Sequence, residues 1–208
     1  MSDIEEITQL LLHERQARDR GWWDRMAACY HPDSHVEASW FSGTGAEFVE
    51  RSRNSSPSGP VGTHRLSPPV IHVNADRAVV ELPMVLEVRA LINGVGADGF
   101  SAARMLDRVR RDEDGWKIQT VTAIFERDTL TPAVPGTTLD IDQHEMNQYR
   151  EPCRCLAYLV SRQGLTPSDD VYGDDQPDRV AALYRAAFNW LEGTEVASGN
   201  KPEGEHTG

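Results

Sequence analysis

The sequence predicts an α+β domain, and three observations carry that reading. Segments with helical apolar spacing come first and segments with strand spacing come after them, so the chain lacks the β-α-β alternation of a parallel sheet. Between Val80 and Phe125, three long strand-like runs are separated by tight turns, the pattern of an antiparallel meander. No glycine-rich loop precedes a helix, so nucleotide binding has no support.

The first helix should start at Ser2-Asp3-Ile4-Glu5, where Ser2 and Glu5 have capping-box spacing. Ile4, Ile7, Leu11 and Leu12 give it an apolar stripe, and it should run to Arg18 or Asp19 with Gly21 ending it. Trp22, Trp23, Met26, Ala27 and Tyr30 suggest a second short helix before His31-Pro32-Asp33. His31, Asp33, His35 and Glu37 alternate on a strand; Pro32 disturbs the set, and a solvated edge explains it better than a metal face. Val36, Ala38 and Trp40 take the opposite face, where Trp40 can look into a pocket. Thr44-Gly45-Ala46-Glu47 again has capping-box spacing and predicts a short helix. Arg53 to Pro60 is a loop by composition; directly before His64, it is either an ordinary surface loop or a lid.

From Thr63 the apolar period changes to two. Pro68-Pro69 interrupts the first strand, which resumes at Val70, Ile71 and Val73 and turns at Asn74-Ala75-Asp76. Val80, Leu82, Met84, Leu86, Val88, Ala90 and Ile92 alternate without a break and mark a long strand. Asn93-Gly94 and Asp98-Gly99 bracket the next turn region, Phe100–Arg110 is a strand, Asp112–Gly115 a hairpin, and Trp116–Phe125 the last strand. Thr131–Gly136 reads as a linker. Beyond it, Asp142 to Glu145 caps a helix carrying Met146 to Leu159, with Pro152 kinking it or delaying its start. Pro177 opens a further helix through Leu191. Asp140, Asp142, His144 and Glu145 fit a solvated helix start better than a metal site. The chain thus divides into a domain over 1–130, a helical extension over 131–192, and a polar, disordered tail over 193–208.

Composition narrows the function. With 39% hydrophobic and 26% charged residues among 208, the chain is an ordinary globular protein. A net charge of −12 argues against nucleic-acid and anionic-membrane partners, which need a basic face. The three cysteines, Cys29, Cys153 and Cys155, form neither a disulfide framework nor a metal motif. An acidic start and the lack of a membrane-length apolar window predict a cytoplasmic protein. The chemistry-bearing candidates are Asp19, at the end of the first helix, and His64, in Gly62-Thr63-His64-Arg65-Leu66. Brought together, they would form a general base, the carboxylate fixing the tautomer of an imidazole whose ordinary pKa lies near working pH. Spacing alone does not bring them into contact.

Several runs in this order resemble the SnoaL-like branch of the nuclear transport factor 2-like superfamily. They are Asp19-Arg20-Gly21-Trp22-Trp23-Asp24, Tyr30-His31-Pro32-Asp33-Ser34, Gly62–Leu66, Val70–Asp76, Met105-Leu106-Asp107-Arg108 and Gly115-Trp116-Lys117-Ile118. The resemblance covers residues 4 to 126, and the C-terminal stretch is similar to an extension found in part of that branch. It implies a cone, a curved antiparallel sheet wrapped around N-terminal helices, with an apolar cavity open at one end. In the dehydratases and dehydrochlorinases of this branch a His-Asp dyad is catalytic, and Asp19 and His64 are the matching positions. Val121 stands where relatives often carry a cavity arginine; Arg104, Thr120 and Thr122 are the neighbouring candidates for its role.

The resemblance implies a cofactor-independent, metal-free lyase that expels water or formaldehyde from a small, mostly apolar ring or aromatic compound. His64 is then the base, Asp19 its orienting partner and Tyr30 the general acid, with Trp23, Trp40 and Arg104 on the substrate-binding wall. An isomerase or cyclase, or a non-catalytic binding or assembly module, is the alternative on this fold. A homodimer or homotrimer is expected, because the outer face of such a sheet tends to be buried against a neighbour.

Overall fold

A computed structural model of the chain describes residues 1–55 and 62–194. Most of the 53–60 loop, read as a surface loop or a lid, and almost all of the expected tail lie outside the described residues. Helix α1 (Asp3–Arg20) begins with the expected capping box: the Ser2 N–H donates to Glu5 Oε2 at 2.8 Å, and the Ser2 hydroxyl accepts from the Glu5 N–H. Gly21, at φ 68°, ends it in the left-handed conformation that a Cβ disfavours. The buried face runs through Ile7, Leu11, Glu14, Arg15 and Ala17, whereas Ile4 and Leu12 are exposed. The apolar stripe is therefore narrower than the spacing suggests and continues as charged residues.

Helix α2 (Trp23–Ala27), strands β1 (Tyr30–Ala38) and β2 (Phe41–Thr44), and helix α3 (Gly45–Ser55) come next. The remaining strands are β3 (Gly62–Leu66), β4 (Val70–Asn74), β5 (Arg77–Ile92), β6 (Val95–Asp112), β7 (Gly115–Pro132) and the two-residue β8 (Tyr172–Gly173). They form one curved, unclosed sheet in the order β2-β1-β7-β6-β5-β3, with β4 also on β5 and β8 on β7. This is the expected α+β architecture.

The curvature has identifiable causes. Pairing of β6 with β7 shifts register at Ala102/Ala103 and at Arg108/Val109, and such bulges bend a strand and raise its twist. Pro83, which has no N–H to donate, lies where the edge partner of β5 changes from β4 (ending at Glu81) to β3 (starting at Met84). Pro68-Pro69 stands opposite, in the break between β3 and β4. Asn93 (φ 48°) and Gly94 (φ 84°) make the β5–β6 hairpin turn. Asp98-Gly99 makes no turn; it lies within β6, which is longer than its alternation alone indicated.

After β7 the chain forms α4 (Gln143–Met146) with Asp142 as its cap, a 3₁₀ turn (Glu151–Cys153), α5 (Arg154–Arg162) and α6 (Pro177–Glu192). The single helix expected from Met146 to Leu159 is thus two, because Pro152 in the 3₁₀ turn separates them. Helix α6 lies on the outer face of the sheet, where Ala187, Trp190 and Leu191 cover Val79, Leu106 and Ile124. Part of the face expected to meet another subunit is therefore covered by the chain itself. No helix among the described residues is long and apolar enough to cross a membrane.

Helix α5 closes over the open end of the cone. Its start is held by Asp128 of β7, whose Oδ2 accepts from the Leu156 N–H at 2.8 Å. Leu159 can lie close to β6 because Gly99 has no side chain: a Cβ there would come within 2.7 Å of Leu159 Cδ1. Asp128→Ala removes this cap and should cost about 1 kcal/mol. A lower melting temperature together with faster proteolytic cleavage within 154–165 would show it; cleavage unchanged from wild type would contradict it.

Candidate active site

The last turn of α1 and strand β3 meet at the wall of the cone. Asp19 Oδ1 lies 2.5 Å from His64 Nδ1, and Asp19 Oδ2 accepts from the His64 main-chain N–H at 2.8 Å. Both carboxylate oxygens thus hold one residue, fixing the ring and the strand that bears it. The His64 side chain is 3% exposed. Its other nitrogen, Nε2, lies 3.4 Å from Arg18 Nη1. A guanidinium only donates, so Nε2 accepts, and the imidazole proton sits on Nδ1, directed at Asp19.

The electrostatics come from burial among two arginines. Burial lowers the His64 pKa to about 4; the Asp19 hydrogen bond opposes this, and the Arg18 and Arg15 charges reinforce it. Burial alone would push the Asp19 carboxyl up, but the His64 ring, the His64 main-chain N–H and Arg18 outweigh it and hold it low. The dyad therefore rests as neutral imidazole and carboxylate. Arg18 is depressed by burial and by Arg15, against the pull of Glu14 and Asp19.

Two chambers meet here. The inner one, about 50 Å³, is lined by His64, Arg15 and Arg18, by Trp40 and Phe48, and by the inward residues of β5, β6 and β7 such as Met84, Ser101 and Val121. The outer one, about 100 Å³, shares Arg18, Trp40, Leu86 and Leu156 with it and adds Asp19, Trp23 and Ser52. The outer roof comes from the extension, through Leu156, Leu159, Val160, Gln163 and Leu165. Three buried atoms on these walls have no hydrogen-bond partner among the described residues: Arg18 Nε, Ser52 Oγ and Ser101 Oγ.

Of the residues singled out from the sequence, Asp19, His64, Trp23 and Trp40 come together here. Tyr30 lines neither chamber. Its hydroxyl donates to Glu14 Oε1 at 2.8 Å, in a buried cluster with Arg15, and its ring meets edge-on that of Phe48, which does line the inner chamber. Arg104 is on the other side of the sheet, because its neighbours Ala103 and Met105 are core residues and successive side chains alternate. There Arg104 pairs with Glu81 and Glu126, both at 2.6 Å, and Glu81 in turn accepts from Tyr184 of α6. Val121 faces the inner chamber, while Thr120 and Thr122 line neither chamber. The cavity cation is instead Arg18, which the strand spacing around Val121 does not single out. The sequence does carry a signal for it: Glu14, Arg15 and Arg18 continue the face of Ile7 and Leu11 at helical intervals, placing charge where apolar residues should be.

Three-residue-or-larger groups of His, Cys, Asp and Glu able to hold a metal do not occur among the described residues. Residues 1–122 match the SnoaL-like domain. An uncharacterized protein of Emericella nidulans is 30% identical over 197 residues, covering 86% of this chain and 82% of its own length. A PEP2-like protein of Fusarium vanettenii is 25% identical, covering 86% and 81%. Among solved structures, a candidate scytalone dehydratase of Novosphingobium aromaticivorans superposes with a TM-score of 0.50 at 18% identity, covering 69% of this chain and 99% of that one. The Kfla4162 protein of Kribbella flavida also reaches 0.50, at 16% identity, covering 64% and 91%. With more than half its length matched, and with the helices and unclosed sheet of that fold, this chain belongs to the SnoaL-like domain family.

Proposed function

We propose that the chain is a cofactor-independent acid–base lyase acting on a small ring compound, with His64 as the base and Asp19 as its orienting partner. The observation that supports this best is the 2.5 Å contact between Asp19 and His64 Nδ1, which leaves the Nε2 lone pair at the cavity wall, held only by a long 3.4 Å contact from Arg18 that a substrate has to displace. The carboxylate holds the tautomer and stabilises the imidazolium once it forms. Nε2 takes a proton from a C–H or O–H of the substrate, and the electron pair left behind expels the leaving group. With Tyr30 engaged by Glu14, the imidazolium itself is the acid: it returns the same proton to the departing oxygen, so the site ends as it began. The inner space of about 50 Å³ and the outer one of about 100 Å³ share Arg18, Trp40, Leu86 and Leu156 on their walls, and spaces of this size suit a small ligand. The scytalone dehydratase name of the Novosphingobium structure agrees with elimination, though at 18% identity it speaks to fold alone.

Isomerisation is the second reading, and the place of Tyr30 favours it too. A single base that takes a proton from one carbon and returns it to another needs no separate acid. Both readings share the abstraction step, so solvent exchange tests them together. Incubation of cyclic ketones and hydroxyketones in D₂O with wild type, followed by proton NMR, should show deuterium beside the carbonyl, because the imidazolium proton exchanges with solvent in those encounters that revert before the reaction completes. Asp19→Asn, which can no longer hold the Nδ1–H tautomer, should slow this exchange by about 100-fold or more. Exchange at the wild-type rate in that variant would remove the dyad from the mechanism.

A further inference from the structure

The inner chamber is walled by a guanidinium that no carboxylate neutralises directly. Among the described residues Arg18 makes no ion pair, whereas Arg15 beside it is paired with Glu14. Arg18 rests its guanidinium against the Phe48 ring, 5.3 Å from the centroid, and donates weakly to His64 Nε2 at 3.4 Å. Its Nε is sealed from solvent and without a hydrogen-bond partner among the described residues, and so is the Ser101 hydroxyl on the facing strand, in the same chamber. A buried donor left without an acceptor costs stability, and a desolvated guanidinium costs more. Two such donors on the walls of one small cavity are explained if a ligand acceptor completes them.

We infer that the chamber recognises an oxyanion: the ring compound it takes carries a carboxylate, phenolate or enolate oxygen that sits against Arg18 and Ser101, beside His64. The remaining walls, Met84, Leu86, Val121 and Phe125 among them, are apolar and hold the ring. The fork of a guanidinium suits such an oxygen, and low local dielectric strengthens the contact. The chain as a whole is strongly acidic, at −12, so a preference for anions has to come from this site and not from the overall field. Anion binding also offsets the arginine charges that keep imidazolium from forming, so it strengthens His64 as a base. By linkage, the anion must then bind more tightly when His64 is protonated.

The inference rests on the proposed site but not on its chemistry, and the test separates the two. Benzoate and 4-nitrophenolate are titrated into wild-type protein against the neutral counterparts benzamide and 4-nitroanisole, followed by calorimetry and tryptophan fluorescence. Wild type should prefer each anion by at least about tenfold. Arg18→Gln should abolish the preference, Arg18→Lys should keep part of it, and His64→Gln should keep it. Benzoate should also raise the His64 pKa in an NMR titration of the ring protons, a shift that a merely structural arginine would not produce. Equal binding of anions and neutral probes by wild type, no detectable anion binding, or an undiminished preference in a folded Arg18→Gln would each overturn the inference. Solvent exchange that depends on His64 without any anion preference would retire it and leave the base standing; anion preference without exchange would do the reverse.

Discussion

Replacing His64 by Gln should lower turnover of any substrate of this site by about 100- to 10,000-fold, the usual contribution of a positioned acid–base group. The variant should fold, because Gln can still offer its main-chain N–H to Asp19 Oδ2, a contact that needs no imidazole. The pH profile of the wild type carries a second, sharper expectation. A base acts only when deprotonated, so activity falls as pH drops through its pKa. An ordinary histidine would impose that fall near pH 6.5. Burial and the neighbouring arginines put it at about 4 here, so kcat/KM should stay flat from neutral pH down to about 5. An acidic limb centred near 6.5 would contradict this electrostatic account of the site. A weakly basic nitrogen is also a poor proton acceptor in an empty cavity, which is why the charge that develops on the substrate matters to its strength.

The second large effect concerns stability and comes from a buried carboxyl group on β6, outside the lining of either chamber. Asp107 of β6 is 3% exposed, and its Oδ1 has no hydrogen-bond partner among the described residues. Burial raises its pKa from 3.8 to about 8, with Arg15 opposing and Glu14 reinforcing. The folded state then keeps a proton that the unfolded chain sheds, so this group makes stability fall as pH rises from 3.8 to about 8. His64 acts in the opposite sense: its folded pKa is the lower one, so its contribution improves as pH rises from about 4 to 6.5. The two offset each other up to pH 6.5, and only the loss remains above it. At about 1.4 kcal/mol per pH unit, the wild type should lose about 2 kcal/mol between pH 6.5 and 8. Asp107→Asn removes the titration and should flatten this stretch in urea unfolding at the two pH values. The same slope in the variant would assign the loss to another group.

Where the chain obeys local rules, the fold can be read without coordinates. Ser2 and Glu5 cap α1, Gly21 ends it, Asn93-Gly94 turns the β5–β6 hairpin, and the even alternation from Val80 to Ile92 gives a strand with one buried face. Asp19 and His64 are legible only through the family resemblance, since nothing in residues 45 positions apart states that they touch. The departures share a cause: tertiary context overrides a local cue. Tyr30 carries a plausible acid, but a buried Glu14 claims its hydroxyl. Arg104 sits on a cavity strand, but alternation turns it outward to two carboxylates. Asp98-Gly99 has the composition of a turn, yet the pairing of β6 with both neighbours runs straight through it. Arg18 is easily passed over in the sequence because charges near a helix end normally point to water, and only its spacing with Glu14 and Arg15 from Ile7 and Leu11 says otherwise.

The roof over the outer chamber has a practical corollary. Leu156, Leu159, Val160 and Leu165 come from a stretch that carries neither Asp19 nor His64, which stand on α1 and β3. The width of the outer chamber can therefore be tuned from that short segment. Smaller aliphatic replacements there would admit bulkier guests while the Asp19–His64 contact beneath stays as it is.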